Sequence, residues 1–169
     1  MSEKIQVVLA DDHAVLRAGL RALLNVEPDM EVVGEATNGQ EAIERVAELA
    51  PDVIVMDLTM PGLSGLDAIA HIASQHLDTK VVVLTMHAEE QYIVQVIQCG
   101  AAGYVLKSAA DTDLIDAIRQ VVQGKTYLYP DAAHILVEHY RHQGEHRREE
   151  EDSLDLLSDR EREVLTYTA

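Results

Sequence analysis

The chain has 169 residues, of which 47% are hydrophobic, and its single cysteine excludes an internal disulfide bond and fits a reducing compartment. Thirteen lysine and arginine residues against thirty aspartate and glutamate residues give a formal charge of −17, so these residues should repel phosphate backbones and not bind nucleic acid by themselves. Neither a signal-peptide pattern nor an apolar run of transmembrane length is present, and we therefore expect a soluble cytoplasmic protein.

From residue 5 to residue 124, short apolar runs typical of strands alternate with longer amphipathic runs typical of helices. The predicted strands lie near 5–10, 31–36, 52–57, 80–85 and 103–106. The predicted helices lie near 13–25, 39–50, 64–75, 89–99 and 111–123. This alternation predicts an α/β fold with a doubly wound, five-stranded parallel sheet and helices on both faces.

The pattern changes after the fifth predicted helix. Residues 125–131 (KTYLYPD) are interpreted as a connector, and Pro130 can begin a helix over 131–141. Residues 142–153 are almost wholly charged or polar, which is typical of a solvated linker. We therefore expect residues 126–157 to be a linker that contains one short helix.

A second domain is indicated at the C-terminal end. Ser158 and Glu161 form an S-x-x-E capping box, followed by apolar residues at helical spacing. The twelve residues 158–169 are too few to bury a core, so we expect them to be the opening helix of a further domain. The first domain is predicted to span 1–125.

Polar side chains stand where four of the predicted strands end. Asp11 and Asp12 follow the first strand, Asp57 ends the third, Thr85 ends the fourth and Lys107 follows the fifth. Taken singly, each has an ordinary explanation, such as a helix cap for an aspartate or a solvated charge for the lysine. Because ligands of open α/β sheets bind beyond the carboxyl ends of the strands, their shared position predicts one common pocket.

The acidic side of this pocket predicts a metal site. Buried carboxylates are costly unless they are paired, and three close together need a cation. Asp11, Asp12 and Asp57, with the backbone carbonyl of Thr59, offer the hard oxygen ligands that suit Mg²⁺.

The remaining groups fit phosphoryl chemistry. With a metal bound, one carboxylate stays free to act as a nucleophile towards a phosphoryl group. Lys107 could neutralise charge on the transferred group, and the Thr85 hydroxyl could donate a hydrogen bond to it. The chain contains neither a G-x-G-x-x-G motif after the first strand nor a P-loop motif.

Residues 4–123 resemble the receiver domain of a two-component response regulator. The resemblance rests on the acidic pair, on Asp57 followed by the MPG turn, and on Thr85, Tyr104 and Lys107 in the family's order and spacing. The segment LSDREREVL near the C-terminus resembles the start of a LuxR/NarL-type helix-turn-helix domain. The resemblance implies a flavodoxin-like fold with strand order 2-1-3-4-5.

The resemblance also implies a role for each acidic residue. Asp57 would accept the phosphoryl group of a sensor histidine kinase and become an aspartyl phosphate. Asp12, Asp57 and the Thr59 carbonyl would bind Mg²⁺ directly, and Asp11 would act through water. Such a domain phosphorylates itself but turns over no external substrate, so it is not an enzyme in the usual sense.

The other matched residues would form the switch and its output. Lys107 would pair with the phosphoryl oxygens, Thr85 would move to hydrogen-bond them, and Tyr104 would follow into the space that Thr85 leaves. We expect a homodimer on phosphorylation, formed through the first and fifth helices. Promoter DNA would be bound by the C-terminal domain and not by these residues.

Two positions near the pocket depart from the family or are ambiguous. A proline preceded by a cis peptide bond often follows the lysine in this family, whereas Ser108 stands here, and a non-proline cis bond costs about 3 kcal/mol. His87 either influences water access to the pocket or is an ordinary surface histidine.

Two other functions use the same residues. A Mg²⁺-dependent phosphohydrolase could employ the same carboxylates, although no second acidic residue stands two positions after Asp57. A receiver-like module that takes no phosphate could act through protein contacts alone.

Overall fold

A computed structural model of the protein describes residues 3–76, 78–86 and 90–144. The predicted capping box at 158–161 and the predicted helix-turn-helix fragment at 158–169 lie outside the described residues, as does His87. Within the described ranges, no helix is long and apolar enough to cross a membrane.

Six strands and six helices alternate along the described chain. The strands are β1 (Ile5–Ala10), β2 (Met30–Ala36), β3 (Val53–Asp57), β4 (Lys80–Thr85), β5 (Gly103–Leu106) and β6 (Tyr127–Leu128). The helices are α1 (Ala14–Asn25), α2 (Gly39–Leu49), α3 (Gly65–Gln75), α4 (Glu90–Gln98), α5 (Ala110–Val122) and α6 (130–144). A 3-10 turn over Lys107–Ala109 joins β5 to α5.

All strands run parallel in one sheet, in the order β2-β1-β3-β4-β5-β6. The predicted fold class and the order 2-1-3-4-5 are confirmed. The sheet also holds a sixth strand that was not predicted. The strand order reverses direction between β1 and β3, which places a crevice at the carboxyl ends of these two strands.

The strands are apolar along their length because both faces of the sheet are covered by helices. One face packs in a buried cluster with α2, α3 and α4, and the other packs with α1 and α5. Successive residues of β1 show this directly, because Val7 and Leu9 point to one cluster while Val8 and Ala10 point to the other. The rigid sheet thereby fixes the positions of its strand ends.

Local signals in the sequence explain where α2 begins and where α4 ends. The side chain of Asn38 accepts a hydrogen bond of 2.8 Å from the backbone N–H of Glu41, which caps α2. Gly100 follows α4 with φ of 104°, and a Cβ there would lie 2.7 Å from that of Ala73. Glycine is therefore required at this position, where α4 turns back close to α3.

The chain after α5 belongs to the sheet rather than leaving it. Part of the predicted connector, Tyr127–Leu128, forms β6, and the N–H of Tyr127 donates to the carbonyl of Ala102 at 2.9 Å. The helix predicted over 131–141 is present and runs from 130 to the last described residue, 144. The predicted linker over 126–157 thus begins with β6, which pairs with β5, and contains the predicted helix.

Candidate functional site

The sheet brings the predicted site residues to one end. Ala10 of β1 pairs with Met56 of β3, so the next residues, Asp11 and Asp57, stand side by side. On the other side of β3, Asp57 pairs with Leu84, which directly precedes Thr85. The pairing of neighbouring strands alone therefore explains why residues far apart in the chain share this edge.

One ammonium group bridges the two buried carboxylates. Lys107 Nζ lies 2.9 Å from Oδ2 of Asp57, to which it donates a hydrogen bond, and 3.3 Å from Oδ2 of Asp11. Burial disfavours the charged form of Lys107, but the hydrogen bond and charge of Asp57, aided by Asp11, outweigh it and raise the pKa of the lysine. Lys107 is therefore held as a cation between the two aspartates.

The Asp57 carboxylate is fixed from both sides. It is buried, with 2% of the residue exposed. Its Oδ1 accepts hydrogen bonds from the backbone N–H of Thr59 at 3.1 Å and from the Thr59 hydroxyl at 3.2 Å, while Oδ2 faces Lys107. Both oxygens have donors, so the carboxylate is oriented before any ligand arrives.

A second group of contacts links the acidic pair to His13. The imidazole Nδ1 of His13 lies 3.1 Å from Oδ1 of Asp11 and 3.1 Å from Oδ1 of Asp12. The backbone N–H of His13 also donates to Oδ1 of Asp11 at 2.7 Å. Asp11 is buried and Asp12 is exposed, so the pair reaches from the interior to the surface.

The backbone at Asp11 is held by Arg17 on the first turn of α1. The guanidinium of Arg17 donates to the carbonyl of Asp11 at 2.7 Å and to a carboxylate oxygen of Glu35 at 3.0 Å. Glu35 lies on the neighbouring strand β2 and also accepts from Arg21 at 2.7 Å. This ion-pair network fixes the loop that carries the acidic pair.

The donor atoms fit a divalent cation. Asp11, Asp12, His13 and Asp57 each place one possible ligand atom within 4.8 Å of the others. Three carboxylates and one nearby ammonium leave a net charge of about −2, which attracts a cation. The buried Oδ2 of Asp11 is ion-paired with Lys107 at 3.3 Å but accepts no hydrogen bond among the described residues, so it keeps acceptor capacity for a water or an ion.

The two predicted switch residues are both fully buried, with 0% exposed, but occupy different surroundings. Thr85 ends β4 at the same edge as the aspartates and pairs with Leu106, next to Lys107. The ring of Tyr104 lies in the hydrophobic cluster between the sheet and α2, α3 and α4, 5.6 Å from the ring of Tyr129 between centroids. Burial, with the nearby Tyr129 and Tyr92, raises the pKa of Tyr104, so its hydroxyl stays protonated.

The structure thus brings together Asp11, Asp12, Asp57 and Lys107, with Thr59 hydrogen-bonded to the Asp57 carboxylate. His13 and Arg17 were not predicted to lie at the site. The only sequence signal for His13 was its place directly after the acidic pair, and Arg17 had none beyond its spacing along α1. The Lys107–Ser108 peptide bond is trans.

Comparison with known proteins gives a consistent result. The family model described as the response regulator receiver domain matches residues 7–119. The chain is 43% identical over 167 residues to the oxygen regulatory protein NreC of Staphylococcus carnosus, covering 98% of this chain and 77% of that protein.

Solved structures share the fold. A LuxR-family two-component response regulator from Aurantimonas sp. is similar with a TM-score of 0.76 and 34% identity, over 82% of this chain and 99% of that chain. The RcsB response regulator of Salmonella typhimurium is similar with a TM-score of 0.75 and 29% identity, over 79% of this chain and 69% of that chain.

Proposed function

The chain belongs to the response regulator receiver domain family, and on that premise we propose that it is a phosphorylation-dependent regulator in which Asp57 accepts the phosphoryl group. The observation that carries the proposal is the position of the Asp57 carboxylate. It is buried at the carboxyl end of β3, oriented by Thr59 and paired with Lys107 at 2.9 Å. An oriented carboxylate beside a fixed cation is what a phosphoryl acceptor requires.

We propose Mg²⁺ as the cofactor of this site. Asp12, Asp57 and the Thr59 carbonyl would hold the ion directly, and Asp11 would act through water, with several waters kept by the ion. When bound, Mg²⁺ supplies positive charge that offsets the negative charge of the transferred group. The excess of carboxylates over cations among these residues supports this choice.

The reaction is a direct transfer from a phosphohistidine of a sensor histidine kinase. A carboxylate oxygen of Asp57 forms a bond to phosphorus while the bond from phosphorus to the imidazole nitrogen breaks, and the imidazole leaves with the electron pair. The Lys107 ammonium then lies where it can pair with the phosphoryl oxygens, because it already contacts Asp57. Thr85, at the same edge, supplies a hydroxyl donor once it moves towards them.

The switch would run from Thr85 to Tyr104. Movement of Thr85 opens space behind β4, and the buried ring of Tyr104 on the adjacent strand can enter it. Phosphorylation adds charge and acceptor oxygens, and these favour the rearranged state over the original one. A local charge change would thereby alter the packing of the α4 and β5 side of the domain.

We propose that the output is control of transcription in the cytoplasm. RcsB, one of the structural neighbours, has been solved as dimers bound to DNA. For this chain, DNA would be bound through a LuxR-type domain that begins near 158, and phosphorylation would favour a homodimer. Val15 on α1 and Val122 on α5 are exposed apolar residues on the two helices through which we expect this pairing.

We further propose that the domain turns over no external substrate. A phosphohydrolase with these carboxylates would release many phosphates per chain from a phosphomonoester with Mg²⁺ present. The regulator should take up at most one phosphoryl group per chain and release it by hydrolysis of its own aspartyl phosphate. A receiver-like module without phosphate chemistry should take up none.

Labelling with a small phosphodonor tests the proposal. Incubation with acetyl phosphate and Mg²⁺ should give an adduct that survives acid and is lost in base, as expected of an acyl phosphate. Asp57→Asn should abolish the adduct. The control is Asp52→Asn, an exposed residue that directly precedes β3, and this variant should be labelled as the parent chain is. Equal labelling of Asp57→Asn and the parent would refute the assignment.

A further inference from the structure

The segment 127–144, which we name the C-terminal brace, is attached to the backbone of the predicted switch tyrosine. Within it, β6 pairs in parallel with β5, and Tyr104 is the register partner of Leu128. The N–H of Tyr129 donates to the carbonyl of Tyr104 at 3.4 Å. The brace therefore begins on β5, the strand that carries the predicted switch tyrosine Tyr104.

Side-chain packing ties the brace to the same residue. Tyr129 is 5% exposed and Ala132 is fully buried, and both belong to the hydrophobic cluster that contains Tyr104 and the α4 residues Ile93 and Val96. The rings of Tyr104 and Tyr129 are 5.6 Å apart between centroids and inclined at 37°. Aromatic pairs at this separation attract each other beyond the area they bury.

The contact is made by the ring of Tyr129 and not by its hydroxyl. That hydroxyl is buried and has no hydrogen-bond partner among the described residues. A buried polar group without a partner makes the docked state less stable than it would otherwise be. The docked brace is thus stabilised by the ring contact with Tyr104 and destabilised by the unpaired hydroxyl of Tyr129. The smaller net stability of the docked state makes its release easier.

We infer that the C-terminal brace holds Tyr104 in its observed position and is released when Tyr104 moves on phosphorylation. This inference rests on the proposed function. If the Tyr104 ring enters the space behind Thr85, Tyr129 loses its ring partner and the packing that buries it. Release of the brace therefore frees the described segment 127–144 from its packing against β5 and α4.

Linkage makes the effect reciprocal. If phosphorylation weakens docking of the brace by some factor, docking of the brace must weaken binding of the phosphoryl group by the same factor. The brace is therefore an autoinhibitory contact. Removing the Tyr129 ring should both loosen the brace and favour the phosphorylated state.

Amide hydrogen exchange on the full 169-residue chain tests the inference. The probe is beryllofluoride with Mg²⁺, which mimics an aspartyl phosphate. We expect amides of β6 and of the first turns of α6 to exchange about fivefold faster or more when the adduct forms, the low end of typical coupling between sites. Amides of β1 and β3 should keep their protection, which shows that the core has not opened.

Variants separate the ring from the hydroxyl. Tyr129→Ala should expose the brace amides without the probe and bind beryllofluoride more tightly, by the same factor that the probe speeds exchange in the parent chain. Tyr129→Phe keeps the ring and removes the unpaired hydroxyl, so its brace amides should exchange no faster than those of the parent and its beryllofluoride affinity should be no higher. Tyr140→Ala removes an exposed tyrosine of α6 and should change neither property. If Tyr129→Ala loses the protection of β1 and β3, Tyr129→Leu replaces it, because leucine fills part of the buried space but lacks the ring that pairs with Tyr104. Tyr129→Leu should shift brace exchange and beryllofluoride affinity in the same direction by a smaller factor.

The outcomes distinguish the inference from the proposed function. If no adduct forms on Asp57 in the parent chain, the proposed function fails and the inference with it. If the adduct forms but brace exchange stays unchanged, the inference is overturned and the proposed function stands. Equal beryllofluoride affinity of the parent and the Tyr129 variant that retains its core would overturn the inference in the same way.

Discussion

The ammonium of Lys107 lies 2.9 Å from Oδ2 of Asp57, although the two residues are 50 positions apart in the chain. Each residue lies at or directly after the end of its strand, so the contact needs no long loop. Asp57 ends β3, Lys107 follows β5, and β4 lies between them in the sheet. The sheet therefore fixes the cation at the Asp57 carboxylate, and the effect of this contact on stability can be measured with and without Mg²⁺.

Removal of the Lys107 cation should destabilise the metal-free protein. Lys107→Ala leaves two buried carboxylates without their shared cation, and we expect a loss of about 3 kcal/mol in the free energy of unfolding, the low end for a broken buried ion pair. Mg²⁺ should restore part of this loss, because the ion supplies the missing positive charge. Urea unfolding with and without Mg²⁺ measures both effects. Lys125→Ala, an exposed lysine, is the control and should change neither.

Asp12 should matter for metal binding and not for the fold. Its side chain is 31% exposed and is ion-paired with His13 at the surface, so Asp12→Asn should change the unfolding free energy by about 0.5 kcal/mol or less. Loss of a carboxylate ligand should weaken Mg²⁺ binding about tenfold or more. Isothermal titration calorimetry measures the Mg²⁺ affinity of Asp12→Asn and of the control Asp78→Asn, which changes an exposed aspartate at the other end of the sheet. Equal weakening in both variants would mean that general charge, and not ligation, attracts the ion.

Two glycine-to-alanine substitutions should act in opposite directions. Gly19 lies on the exposed face of α1, and a Cβ there meets no described atom within 4 Å, so Gly19→Ala should stabilise the protein by about 1 kcal/mol. At Gly65 a Cβ would lie 2.8 Å from the carbonyl oxygen of Leu58, in the loop that follows Asp57. Gly65→Ala should cost about 1–3 kcal/mol because that loop must shift. Thermal unfolding of both variants checks the signs, and stabilisation by Gly65→Ala would contradict the loop packing.

The single thiol should react slowly at neutral pH. Burial, with a smaller effect of the nearby Asp67 carboxylate, raises the pKa of Cys99 above its ordinary value of 9.0. The thiolate is the reactive form, so the alkylation rate of the folded chain should rise with pH and inflect above 9.0. In urea the inflection should return to the ordinary value. Rates with iodoacetamide report on this residue alone, because the chain has one cysteine.

The sequence predicted the strand ends and the polar residues that stand there correctly, because strands that are buried on both faces are apolar along their whole length. Apolar runs that stop at Asp11, Asp57 and Thr85 mark the ends of parallel strands, and the sheet edge then brings them together. The closeness of Lys107 to the aspartates follows from the same rule. The rule predicts where each residue lies along its strand. This position is sufficient to place Asp11, Asp57, Thr85 and Lys107 at the same edge of the sheet.

Other contacts depend on tertiary packing that no local pattern encodes. The strand β6 has two residues, and only the free edge of β5 makes Tyr127–Leu128 extended. The ring of His13 turns towards the acidic pair through a side-chain torsion that sequence spacing does not fix. The pairing of Tyr104 with Tyr129 likewise requires that the chain return to β5 after α5.

Trapping of the acyl phosphate tests the central claim most directly. Borohydride reduces an aspartyl phosphate to homoserine and leaves an ordinary carboxylate unchanged. The chain is incubated with acetyl phosphate and Mg²⁺, reduced, digested and sequenced by mass spectrometry. We predict homoserine at position 57 and aspartate at positions 11, 12 and 52. Unmodified Asp57 in a chain that has taken up phosphate, or homoserine at another aspartate, would contradict the account.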